Sequence, residues 1–143
     1  MLLERSFHVR QDLPAALEAV IRARDTFSRL YGSKNSQVGG RSFYLAEALS
    51  DLQQPDLALQ ELERVKLAYD ASFGPLDPDQ VELLETRAQI LRVAGRNVES
   101  ASNCHAALAL RARLKASAPE FVPGNRRCAA LAAIPVSKQL RFR

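Results

Sequence analysis

Tryptophan is absent, aromatic residues make up only 6% of the 143 residues, and there are just two cysteines and one methionine. Gly (6) and Pro (7) are too few for collagen or low-complexity disorder. The lack of aromatics, set beside an apolar complement dominated by Ala and Leu, disfavours sheet and favours helix. Long hydrophobic runs are missing as well. The longest candidate, Cys128 to Ser137, spans 10 residues, well short of the roughly 18 that a membrane span requires. Met1-Leu2-Leu3-Glu4-Arg5 places an acid and a base where a secretory signal needs its apolar centre, which points to a cytoplasmic protein with no membrane partner. Cys104 and Cys128 form no CxxC, and Cys104-His105 has no second pair at zinc-finger spacing. They read as buried or incidental thiols, with no metal and no cofactor.

Acidic residues are scarce in one region. From residue 111 onward there are eight bases (Arg111, Arg113, Lys115, Arg126, Arg127, Lys138, Arg141, Arg143) against Glu120 alone, whereas residues 1–110 hold 12 bases and 15 acids. The pI near 9.4 therefore comes from the C-terminal end. With no interleaved aromatics and no basic face, a solvated tail explains it better than nucleic-acid binding. Signs of chemistry are missing too. His8 and His105 have no nucleophile or carboxylate at catalytic spacing, Glu82 and Glu85 lie one helical turn apart on a solvated face, and Gly39-Gly40-Arg41-Ser42 lacks the spacing of a phosphate loop and reads as a helix-start irregularity. No enzyme is expected.

What the chain does contain is a repeat of 42 residues. Ala16-Leu17 returns as Ala58-Leu59, Val20 as Leu62, Arg24 as Lys66, Phe27 as Tyr69, and Tyr31-Gly32 as Phe73-Gly74. A weaker third copy runs through Ser100-Ala101, Cys104 and Leu108. The other half of the unit repeats as Leu45-Ala46 and Leu49, then Arg87-Ala88 and Leu91, with Gln53 corresponding to Gly95. Apolar residues fall at steps of three and four through each segment, so each unit comprises two helices. Turns are expected at Asp12-Leu13-Pro14, Pro55-Asp56 and Gly74-Pro75-Leu76-Asp77-Pro78, with Asp79 as a helix N-cap and Gly32 and Gly74 closing the long helices.

These residues resemble the tetratricopeptide repeat, in the longer variety found in kinesin light chains and many bacterial regulatory proteins. The resemblance rests on Ala46 and Ala88 in the first helix, on Ala16, Ala58 and Ser100 in the second, on Gly95 between helices, and on Tyr31-Gly32 and Phe73-Gly74-Pro75. Gln53 departs from the family's Gly, and Ser33-Lys34-Asn35-Ser36 lacks its Pro. HEAT and armadillo arrays share a period of about 40 to 47 residues and remain an alternative.

The resemblance implies an all-α, right-handed superhelical solenoid of antiparallel helix pairs: about two and a half repeats over 1–117, the first incomplete, followed by an irregular basic tail over 118–143 with a short capping helix at 126–134. The first helix of each pair would line a concave groove. The positions implied for binding a peptide or partner protein are Arg5 and His8; Gly40, Phe43, Glu47, Ser50 and Asp51; and Glu82, Glu85, Gln89 and Arg92. Phe43 would be either a ligand anchor or, with the helix slightly rotated, a core residue. The excess of acids points to a ligand with some positive charge. A chain that starts within a helix also suits a regulatory or oligomerisation segment of a larger signalling protein, such as a bacterial serine/threonine kinase, and self-association through an exposed terminal helix.

Overall fold

The computed structural model describes residues 2–117 and Cys128, with side chains from Pro14 to Ala116 and at Cys128. Five helices follow one another: α1 (Leu2–Tyr31), α2 (Ser36–Asp51), α3 (Pro55–Ser72), α4 (Pro78–Val93) and α5 (Asn97–Ser117). No strand occurs among the described residues. Each helix packs on its neighbours in sequence, most extensively α2 on α3 and α4 on α5. No helix among the described residues is long and apolar enough to cross a membrane.

The 42-residue period is a period of local geometry. α4 begins 42 residues after α2, and α5 begins 42 after α3. Asn35 caps α2 by accepting the Gln37 N–H at 2.8 Å, and Asp77, its counterpart, caps α4 by accepting the Asp79 N–H at 2.9 Å. The expected cap at Asp79 is thus corrected to Asp77, because Pro78 fits the first helical position, where no N–H is needed. Phe27–Tyr31 and Tyr69–Phe73 form matching ring pairs with centroids 5.5 and 5.4 Å apart. Gln53 (φ 62°) adopts the same left-handed turn as Gly95 (φ 79°), so the turn survives loss of the glycine.

The core sits between the helices of the repeated units. Phe43, Ala46, Ala58, Leu62, Val65, Leu83 and Ile90 form its main cluster, with Leu49, Leu59 and Tyr69 packed against it. Val81, Ala107 and Leu114 form a second cluster between α4 and α5. Small residues set the spacing: Ala46, Ala58 and Ser100 are fully buried, and Ser100 Oγ donates to the Ala88 carbonyl at 2.7 Å. Gly39 is more than a helix-start irregularity. A Cβ there would lie 2.9 Å from that of Ala68, so the glycine permits α2 to close on α3.

Two further expectations are corrected. Pro14 lies inside α1, which runs unbroken from Leu2 to Tyr31. The predicted break at Asp12-Leu13-Pro14 does not form, the first unit is one helix, and Ala16 is exposed rather than held against a partner helix. The cysteines are not free: Cys104 and Cys128 form a disulfide with Cα atoms 5.0 Å apart. The predicted tail over 118–143 and capping helix at 126–134 lie outside the described residues except for Cys128, which is helical.

Candidate functional site

Glu47, Ser50 and Asp51 on α2 and Thr86, Gln89 and Ile90 on α4 line a cleft of about 210 Å³. Four residues expected on a binding face (Glu47, Ser50, Asp51, Gln89) are thereby brought together from two repeats. They meet because α2 and α4 occupy equivalent places in successive units. Phe43 and Ala46 of α2 share one core with Leu83 and Ile90 of α4, and Ile90 also borders the cleft.

Acidity is the dominant character of this face. Burial, then Glu82 and Asp51, raise the Glu47 carboxyl above its ordinary range. Glu82 is raised by burial, then by Asp79 and Glu85, and Asp79 by burial, then by Asp77. The half-buried Tyr69 hydroxyl is pushed up to about 12 by burial and by Asp79, Glu82, Asp77 and Tyr44. Among the described residues, Glu47, Asp51, Asp79 and Glu82 take part in no ion pair. Negative charges facing one another without a cation repel, and the repulsion is relieved by a proton or by a cationic ligand.

The remaining expected positions are placed elsewhere. Phe43 is 8% exposed and belongs to the core, not to an open face. The neighbouring aromatic, Tyr44, is 71% exposed. Glu85 is turned to α5, where it accepts from Arg111 Nη2 at 2.5 Å with both side chains largely buried. It joins two helices rather than offering a free charge. Arg92 is exposed in the last turn of α4 and does not line the cleft. Gly40 is partly buried on α2, with open space around its Cα. Arg5 and His8 lie in α1, and their side chains fall outside the described residues.

Sequence reasoning missed Tyr44, Tyr69, Asp77, Asp79 and Thr86. The signal for two of them was present: Asp79, Glu82, Thr86 and Gln89 fall at steps of three, four and three along α4. No metal-binding group of three or more His, Cys, Asp or Glu occurs among the described residues.

The raised carboxyls have a pH consequence. Glu47 and Glu82 hold protons in the folded chain at pH values where the unfolded chain, titrating near 4.5, has released them. Their contribution to stability therefore grows as pH falls from 7 toward 4.5 and is complete below it. Thermal melts over this range should show the parent gaining on a Glu47→Gln/Glu82→Gln variant as pH falls. Parallel curves would show that these groups are not coupled to folding.

No protein-family model, curated protein or solved structure matches this chain.

Proposed function

We propose that the chain is a non-enzymatic binding module, built as a tetratricopeptide-like solenoid of helix pairs, that holds a basic polypeptide segment along the face formed by α2 and α4. The repeated geometry supports the architecture: caps, ring pairs and turns recur at 42-residue offsets. The observation that carries the function is the cleft between two repeats, where Glu47 and Asp51 sit beside the Ser50, Thr86 and Gln89 side chains and, among the described residues, pair with no cation. Lys or Arg side chains of an extended ligand would neutralise the carboxylates, while the hydroxyls and the amide bond its backbone. Tyr44, exposed on the same helix, supplies a flat surface over which an aliphatic or guanidinium group can lie.

The test is fluorescence anisotropy with labelled peptides of equal length, one alternating Lys and Arg with Ala, the other carrying Glu in place of the bases. The basic peptide should bind and the acidic one should not. Glu47→Lys should weaken binding about tenfold, or roughly 1.4 kcal/mol, without lowering the melting temperature, because it removes one of the carboxylates that repel one another on this face. Equal binding of both peptides, or indifference to Glu47→Lys, would remove the cleft from the interaction.

A further inference from the structure

By the 42-residue period, α1 is the counterpart of α3, the second helix of its unit. In α3, Ala58, Glu61, Leu62, Val65 and Ala68 are buried, and α2, the first helix of that unit, packs along it. The equivalent residues of α1 are Ala16, Ala19, Val20, Ala23 and Thr26. Ala16, Ala19 and Thr26 are exposed, and Val20 and Ala23 are only partly buried. Among the described residues, no helix stands beside α1 as α2 stands beside α3. One flank of this uncovered stripe carries Glu18, Arg22, Asp25 and Arg29, all exposed, at steps of four, three and four. Charges at such steps on a helix can pair with one another, yet among the described residues none of these four does. Arg24 Nη2 donates to Asp25 Oδ1 at 2.9 Å and leaves that side chain 53% exposed, while Arg29 Nη2 donates to Thr26 Oγ1 at 3.5 Å.

We propose that the uncovered face of α1 is a self-association surface, on which a second copy of this chain seats its own α1 antiparallel about a two-fold axis. The order of charge selects this occupant. Along α1 the flank reads acid, base, acid, base. A second α1 running the opposite way, with the axis between residues 23 and 24, presents the complementary order. Glu18 then faces Arg29 of the second copy and Arg22 faces its Asp25, and each pairing occurs twice because residue i meets j while j meets i. A parallel copy in register would instead set Glu18 on Glu18 and Arg22 on Arg22. A polymer of one charge sign, such as nucleic acid, gains nothing on a flank of alternating sign. The same antiparallel pairing brings Leu30, which is 69% exposed, to the turn of the other helix that holds Ala16 and Ala19. Covering this stripe supplies the affinity, while the flanking charges, weak singly in water, fix partner and orientation. The incoming helix takes the place beside α1 that α2 takes beside α3. None of these residues lines the cleft between α2 and α4.

The test is analytical ultracentrifugation of the full chain over a range of concentrations. The parent should pass from monomer to dimer as concentration rises. Glu18→Arg alone sets Arg against Arg29 of the second copy, and Arg29→Glu alone sets Glu against its Glu18. Each should raise the dimer dissociation constant about tenfold or more. The swap Glu18→Arg/Arg29→Glu restores opposite charges and should return the constant to within about threefold of the parent. An equimolar mixture of the two single variants should dimerise as well. Glu18 and Arg29 are exposed, so melting temperatures in dilute solution should stay within about 2 °C of the parent. A chain that stays monomeric up to about 1 mM would overturn the proposal. So would a dimer indifferent to both single reversals, or a swap variant weakened as much as the two singles together. Glu47→Lys should leave dimerisation unchanged, so this proposal and peptide binding by the acidic face fail separately.

Discussion

Replacing Ala58 with arginine is expected to unfold the middle of the chain. Ala58 has no exposed surface and packs in the cluster of Phe43, Ala46, Leu62, Val65, Leu83 and Ile90. A guanidinium there would lose its water among apolar neighbours and push apart helices whose spacing the alanine sets. Desolvation and overpacking together cost several kcal/mol, about the scale of a small domain's entire stability. Far-UV circular dichroism with thermal melting should show loss of the cooperative transition. The repeat supplies its own control. Ala16 holds the equivalent position in the first unit but is exposed on α1, so Ala16→Arg should shift stability by no more than about 0.5 kcal/mol. A cooperative, unshifted melt for Ala58→Arg would show that this contact is misplaced.

The second large effect concerns the ion pair joining α1 to α3. Arg24 Nη1 donates to Glu61 Oε1, and the two side chains are only 10% and 11% exposed. Arg24 also donates from Nε and Nη2 to Asp25 Oδ1 at 3.0 and 2.9 Å, and Arg64 stands 3.6 Å from the same Glu61 oxygen. Burial opposes the charge on Arg24, but the hydrogen bonds to Glu61 and Asp25 outweigh it and leave the guanidinium more basic than usual. Removing one partner strands the other's charge in a poorly solvated place. Arg24→Ala should therefore cost about 3–5 kcal/mol in denaturant titrations. The double variant Arg24→Met/Glu61→Leu removes both charges, keeps much of the volume and should recover most of that loss. Equal losses in the single and double variants would mean that packing volume, not the stranded charge, sets the cost.

These two sites also mark what can be read from the chain alone. The helical class, the two-helix unit and the small contacts at Ala46, Ala58 and Ser100 were legible because they repeat at a fixed spacing, and local propensity and packing agree there. The first unit departs from the expected pair of helices at Pro14, which lies inside α1 rather than at a helix start. Proline fits a helix's first turn and is disfavoured further in, and α1 keeps it in its interior nevertheless. Pairs that close long separations, Arg24 with Glu61, Glu85 with Arg111 and Cys104 with Cys128, carry no local spacing signal. Phe43 illustrates a finer limit. The stripe through 40, 43, 47 and 50 and the stripe through 40, 44, 47 and 51 both step by threes and fours, and they differ by about 100° of rotation at the aromatic position. Burial of Val38, Ser42 and Leu45 beside Gly39, Phe43 and Ala46 fixes the second as the open one. The open stripe of α2 thus carries Tyr44, Glu47 and Asp51, while Phe43 belongs to the core.

The proposed binding of a basic segment across α2 and α4 is tested most directly by an NMR titration of the isotopically labelled chain with the Lys/Arg-Ala peptide, following backbone amides. Shifts should concentrate at Glu47, Ser50, Asp51, Thr86 and Gln89 and weaken together when Glu47 becomes Lys. Shifts confined to α1 or α5, or none at concentrations that saturate the anisotropy signal, would contradict it.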